Sequence, residues 1–408
     1  LCVTDAVEEL PTAVPLLEPR DGVPQVIDTQ RALDQAITAL GAGSGPIAVD
    51  TERASGYRYG QRAYLVQLRR EQAGTVLIDP TPFGDLRSLC DVINDSEWVL
   101  HAASQDLPSL RELGLEPTQI FDTELAARLA GYERVGLATM SELLLGHQLA
   151  KEHSAADWSR RPLPEPWLRY AALDVEILID LRDALETELL RQGKQDWARQ
   201  EFEAVRTAPP PLPRTDPWRR TSGIHRTRNR RQLAVVQALW EARDAIARDR
   251  DTAPGRVLPD SAIIAAATTM PPGPEQLGAL PGWGGRSTRR LVNRLWPTIA
   301  AAYELPEAKL PRPAAAGDGP PPASRWADRD PVAAERLARA RTTLGEIAHA
   351  HALPVENLLS PELVRRVAWT PPAGLDPALV AAFLEEAGAR PWQVTLTATP
   401  LTAALAAE

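Results

Sequence analysis

Pro46-Ile-Ala-Val-Asp-Thr-Glu52 is the stretch on which the fold turns. Ile47, Ala48 and Val49 form a short apolar run, two of the three β-branched, and favour an extended strand. Its period of two places Ala48, Asp50 and Glu52 on one face. Two carboxylates side by side on an otherwise apolar strand repel one another and lose hydration, a cost that a bound cation relieves. In the plainer reading the strand ends at Val49 and both acids sit in solvent. Asp-x-Glu recurs at Asp95, Asp122 and Asp174, so the pattern alone decides little.

Outward from this strand, Val, Ile and Leu runs bounded by Gly, Pro or Asp predict further strands over 25–28, 63–68, 75–78 and 98–102. Helical spacing is read over 30–40, 84–94, 106–113, 123–130, 139–145 and 165–192. Closely spaced strands, then alternating helix and strand, then mostly helix imply a mixed sheet flanked by helices. Two proline-rich stretches, 208–217 and 305–324, read as stiff linkers. The expected organisation is an N-terminal extension (1–22), an α/β domain (23–207), an all-helical domain (218–304) and a second all-helical domain (325–408). In the middle domain Leu233, Val236, Leu239 and Trp240 share one helical stripe. No repeat at solenoid spacing is present.

At 408 residues, with 44% hydrophobic and 24% charged residues, the chain has the composition of a globular protein with two or three domains. No apolar run approaches the length of a bilayer span, so no membrane partner is expected. The first ten residues are acidic and mixed, which argues against a secretory signal, although the chain starts at Leu rather than Met. Cys2 and Cys90 have no metal-ligand spacing, and the six histidines form no zinc pattern. A reducing cytoplasm fits best, and any metal must be held by carboxylate oxygen, favouring Mg²⁺ or Mn²⁺. The net charge of −9 hides an asymmetry: seven arginines lie between Arg214 and Arg231, and Arg286, Arg289, Arg290 and Arg294 come soon after. Such basic patches beside an acidic pocket suit an enzyme that cuts nucleic acid.

Two further carboxylates and a tyrosine extend the set. Asp106 comes after the strand-like 98–102 and opens a helix with Pro108 in its first turn. It reads equally as a helix cap and as a ligand at the carboxyl end of a strand. Asp122 reads as an N-cap. The stripe Leu178, Leu181, Leu185 and Leu189, extended backwards, lands on Asp174 and then Tyr170. A carboxylate facing the core needs a partner, either an arginine or a metal. Four carboxylates converging on a pair of ions, roughly 4 Å apart, would suit phosphodiester hydrolysis. Tyr170, a poor base at neutral pH, would orient the attacking water.

Val49-Asp-Thr-Glu52, His101-Ala-Ala-Ser-Gln-Asp106 and Tyr170-Ala-Ala-Leu-Asp174 together resemble the three exonuclease motifs of the DEDD superfamily, and most closely ribonuclease D. Tyr64-Leu-Val-Gln-Leu68, Phe121-Asp-Thr-Glu-Leu-Ala-Ala-Arg-Leu129 and Asp157-Trp-Ser-Arg-Arg-Pro-Leu163 add to the likeness, which covers about residues 23–205. The resemblance implies a ribonuclease H-like fold and two divalent ions held by Asp50, Glu52, Asp106 and Asp174. Tyr170, four residues before Asp174, corresponds to the Tyr subclass. The middle domain resembles an HRDC module through Leu239-Trp-Glu-Ala-Arg-Asp, Val257-Leu-Pro-Asp260 and Leu280-Pro-Gly-Trp-Gly-Gly285. The C-terminal domain resembles a diverged, HRDC-like one.

The resemblance implies a 3′–5′ exoribonuclease that releases 5′-mononucleotides from RNA 3′ ends, with tRNA precursors as the implied substrate. Gln67, His101, Gln105, Arg286, Arg289 and Arg290 are the expected nucleic-acid contacts; at the arginines the rival reading is a solvated helix face. Two other functions compete: the same chemistry on DNA ends, and a catalytically silent nucleic-acid adaptor. No motif identifies a sensor of the 2′-hydroxyl, which would separate RNA from DNA. The full acidic set speaks against the adaptor. A monomer is expected.

Overall fold

A computed structural model describes residues 13–149, 153, 155–312 and 319–407. Its first part runs β1 (Val14–Leu16), β2 (Val26–Ile27), α1 (Gln30–Ala42), β3 (Ser44–Arg53), β4 (Ala63–Glu71), β5 (Gly74–Ile78), α2 (Arg87–Ile93) and β6 (Glu97–Leu100). It continues with α3 (Leu107–Glu112), β7 (Gln119–Asp122), α4 (Thr123–Ala130), α5 (Leu137–Met140), β8 (His147–Leu149), α6 (Glu165–Glu176), α7 (Leu178–Arg191) and α8 (Gln195–Arg206). Six strands form one mixed sheet in the order β2-β5-β4-β3-β6-β7, while β1 and β8 pair separately. The pairs β3–β6 and β6–β7 are parallel, and β4–β5 is antiparallel. The mixed sheet flanked by helices is therefore as expected, with the Asp50–Glu52 strand near its centre.

The 165–192 run is not one helix. It breaks at Ile177 between α6 and α7. Every residue from Ala171 to Leu178 is buried, so the segment is covered all round and its apolar period carries no sign of the break. The backward extension of the Leu178 stripe thus crosses a discontinuity, yet Asp174 is buried all the same. Strands β1, β7 and β8 and helix α8 were not read from the sequence.

The chain then forms α9 (Arg230–Asp249), α10 (Pro254–Val257), α11 (Asp260–Thr269), α12 (Pro274–Gly278) and α13 (Arg286–Glu304). Val236, Leu239, Ile263, Trp283, Leu295 and Ile299 lie in their common core. Trp283 Nε1 donates to the Ala262 carbonyl at 2.9 Å. Its turn needs Gly282, with φ +84° and a Cβ position 2.8 Å from the Ala262 methyl. Several arginines of the 214–231 stretch serve this core. Arg219 pairs with Asp216 and stacks 4.2 Å from the Trp218 ring. Arg230 and Arg231 donate to the carbonyls of Leu310 and Leu305 just beyond α13.

The final segment is also helical: α14 (Trp326–Arg329), α15 (Pro331–Ala350), α16 (Val355–Leu358), α17 (Pro361–Trp369), α18 (Pro377–Glu386) and α19 (Pro391–Ala406). Two compact units result. Described residues up to Glu52, from Ala63 to Pro209 and from Gly319 onward form one; Arg53–Arg62 and those from Pro210 form the other. Residues from 325 onward, expected as a body of their own, thus share a compact unit and a continuous core with the sheet domain. Helix α8 makes the join. Trp197 stacks on Trp392 with centroids 4.8 Å apart, and Glu201 accepts from Arg390 and from Trp392 Nε1. Lys194 Nζ donates to the carbonyls of Leu129 and His351.

Candidate metal centre

Asp50 and Glu52 emerge from the same face of β3, and Asp174 meets them from α6. One carboxylate oxygen from each lies within 4.8 Å of the others. Glu52 and Asp174 are buried, and Asp50 is half-buried. Three carboxylates packed this closely, with no hydrophobic reason to meet, form a hard oxygen donor set suited to a divalent cation. Burial pushes the Asp174 carboxyl up to about 7, a rise moderated by the hydrogen bond from Tyr170. Burial, and then the negative charges of Asp174, Glu52 and Asp50, push the Tyr170 phenol far above its ordinary range. Tyr170 therefore keeps its proton and donates.

Asp106 does not act as the cap that its local context allows. It stands at the head of α3, but its side chain makes no capping bond. Its Oδ1 instead accepts from Thr51 Oγ1 at 2.7 Å, and both residues are buried. The structure thus brings three expected ligands together and ties the fourth to the residue between Asp50 and Glu52. The turn before it is strained: Ala102 has φ +61°, and the buried Asp122 carboxylate accepts its N–H and that of Ala103. Asp122 also caps α4 through Glu124 and Leu125. It is structural, as read from the sequence.

Among the expected nucleic-acid contacts, Gln67 is corrected. It is fully buried on β4 and donates to Asp50 Oδ2 at 3.2 Å, because β4 is an inner strand covered on both faces. It orients a carboxylate and leaves no surface for nucleic acid. His101 is half-buried, its Nδ1 sits 2.9 Å from Thr123 Oγ1, and burial lowers it to about 4, so it is neutral at pH 7. Gln105 is exposed. Arg289 and Arg290 are exposed on α13 with Arg294, and among the described residues no ion pair engages them. Arg286 belongs to the same helix, with its side chain outside the described set.

Other supports carried little sequence signal. Arg161 forms an ion pair with Asp79 and donates to the Tyr64 carbonyl, tying the segment before α6 to the sheet. Glu176 accepts the Arg20 N–H, and Arg169 pairs with Glu18. The N-terminal segment, read only as an extension, therefore walls a cavity of about 340 Å³ beside Tyr170 and Asp174, lined also by Leu17, Leu149, His153 and Pro166.

The raised Asp174 carboxyl yields a pH prediction. Its folded value exceeds the ordinary 3.8, so without metal its burial increasingly opposes folding as pH rises from about 4 to about 7. A bound divalent ion reverses that penalty. The rise in Tm caused by Mn²⁺ should therefore grow across this window and be smallest at its acidic end. A gain independent of pH would count against Asp174 as a ligand.

Comparison with known proteins agrees with this geometry. Residues 24–190 match a family model described as a 3′–5′ exonuclease, and residues 232–299 match the HRDC domain. Residues 319–405 match the 3′ to 5′ exonuclease C-terminal domain. The chain is 34% identical to a ribonuclease D of Acidiphilium cryptum over 77% of its own length and 81% of that protein. It is 33% identical to that of Gluconacetobacter diazotrophicus, over 68% and 71%. Among solved structures, Escherichia coli RNase D, described as an exoribonuclease involved in structured RNA processing, aligns with TM-score 0.67. Its identity is 26%, and the match covers 93% of this chain and 98% of that one. A Bifidobacterium adolescentis protein aligns with TM-score 0.88 at 39% identity, over 97% and 100%.

Proposed function

The chain belongs to the ribonuclease D family of 3′–5′ exoribonucleases, and from that premise we propose that it trims the 3′ ends of structured RNA, tRNA precursors among them, by two-metal-ion hydrolysis to 5′-mononucleotides. The observation that carries this reading is the convergence of Asp50, Glu52 and Asp174 within 4.8 Å. These three would hold the ions, with Asp106 as the fourth ligand. The ions, when bound, supply Lewis acidity for activating water and for stabilising the leaving oxygen, and neutralise the acidic pocket toward an anionic backbone.

The chain's own groups supply orientation. Gln67 fixes one oxygen of Asp50, and Thr51 fixes one of Asp106. The Tyr170 phenol stays protonated and offers a donor beside Asp174, so its task is to hold the attacking water in line rather than to take its proton. The exposed arginines of α13 offer charge to the phosphates of longer RNA.

The test is a 5′-labelled RNA with matched DNA, incubated with Mg²⁺, Mn²⁺ or EDTA. A ladder shortening from the 3′ end, abolished by EDTA, is expected; internal cuts or metal-independent cleavage would sink the mechanism. Changing Arg289, Arg290 and Arg294 together to Gln should weaken binding of long RNA and make the slope of log K against log salt shallower by about 2, at roughly 0.7 per lost phosphate contact. Equal weakening on trinucleotides would assign these residues to the fold instead.

A further inference from the structure

Glu52 is followed by a loop, residues 54–62, that interrupts the sheet domain in sequence but belongs with the helical unit of 210–312. Its partners lie on α9, α10 and the turn between them. The Tyr59 hydroxyl donates to Asp244 Oδ1 at 2.9 Å and accepts from Arg248, whose guanidinium lies 5.5 Å from the Tyr59 ring. The Tyr59 N–H donates to Asp251 Oδ1 at 3.3 Å. Asp251 Oδ2 lies 3.7 Å from Arg58 and 3.9 Å from Arg62. Ala253 N–H donates to the Tyr57 carbonyl and Arg256 Nε to the Gly56 carbonyl, while Arg256 stacks 4.0 Å over the Tyr57 ring. Tyr59 packs against the same core as Trp283 and Leu239.

An ordinary connection between neighbouring strands needs a few turn residues and no outside support. Here both the backbone and the aromatic side chains of the loop are bound by the helical unit. The loop begins two residues after a metal ligand, and a peptide chain cannot shift at residue 54 without moving or straining residue 52. We propose that Tyr59 and Asp251 are positioning residues: through them the helical unit holds the end of β3 and so sets the geometry of Asp50 and Glu52. The helical unit then contributes to turnover itself, beyond any tethering of RNA. This rests on Asp50 and Glu52 as metal ligands.

The experiment uses the full chain with Tyr59→Phe, Tyr59→Ala, Asp251→Ala and Asp251→Asn. It measures kcat and KM on a labelled RNA trinucleotide with Mg²⁺, Mn²⁺ binding by calorimetry, and amide exchange over 47–53 with 74–78 as internal control. Because small displacements of a reacting constellation cost up to about a hundredfold, Asp251→Ala and Tyr59→Ala should lower kcat about tenfold with KM changed less than about twofold. Mn²⁺ should bind more weakly and residues 47–53 should exchange faster, while 74–78 stays unchanged. Asp251→Asn, which keeps the acceptor for the Tyr59 N–H, should recover most of kcat. Unchanged kcat and exchange, or a rise in KM alone, would overturn the proposal. If Tyr59→Ala unfolds the helical unit, the same readouts on Tyr59→Phe and Asp251→Asn decide, against Asp251→Ala. Exchange and Mn²⁺ binding also separate this idea from the substrate reading, since an inactive parent chain would condemn only the latter.

Discussion

Asp174→Asn is expected to lower kcat by about three to four orders of magnitude while leaving the metal-free fold at least as stable as the parent. The first half rests on the loss of a charged ligand. Metal-assisted charge stabilisation supplies several kcal/mol at the transition state, and each 1.36 kcal/mol is about tenfold in rate. The second half rests on burial. The Asp174 carboxyl is pushed up to about 7 because the folded chain opposes its charge, and Asn removes that opposition at nearly the same volume. Asn also still accepts from Tyr170. Steady-state kinetics together with thermal melts in EDTA and in Mn²⁺ check both halves: activity and the Mn²⁺-induced rise in Tm should vanish, while the melt in EDTA stays level or rises. An active variant, or one that loses activity only because it melts early, would remove Asp174 from the ligand set.

Glu201→Ala should destabilise the sheet-containing unit by about 1–3 kcal/mol, the usual cost of leaving a buried hydrogen-bonding group without its partner. Glu201 has a side chain 6% exposed and takes hydrogen bonds from two Arg390 nitrogens and from Trp392 Nε1. Truncation leaves the indole N–H without its acceptor and takes two bonds from a guanidinium that still donates to the Gly388 carbonyl, beside the stacked Trp197. Glu201→Gln keeps the acceptor oxygen and should lose less. Chemical denaturation checks the ranking. An effect of Glu201→Ala below about 1 kcal/mol would class the contact with ordinary surface pairs.

The site was legible where local periodicity coincides with tertiary burial. Asp50 and Glu52 could be placed on one face because a strand alternates strictly, and Asp122 could be named a cap because capping is local. Asp106 could not be settled that way. Its local context fits a cap, whereas its observed partner, Thr51, is 55 residues away. Gln67 was misplaced for a related reason: a polar residue within an apolar strand signals a buried partner as readily as a contact with ligand, and only the neighbouring strand tells which. The arginines of 214–231 show the limit of charge counting, since several of them bind carbonyls and rings of their own domain.

The sequence by itself determined the mixed sheet with its flanking helices and the helical character of the chain beyond that sheet, and it singled out the acids and the tyrosine proposed for the site. These depend on patterns within a few residues, on strand and helix periods, or on spacing shared with a family. Only the tertiary structure decided that 319–407 share a core with the sheet domain, that Asp174 is buried despite a broken helix, and that the loop after Glu52 belongs to the helical unit. Each depends on contacts between residues far apart in the chain. Their hydrogen bonds and packing are realised only after folding brings the partners together, so no local period records them.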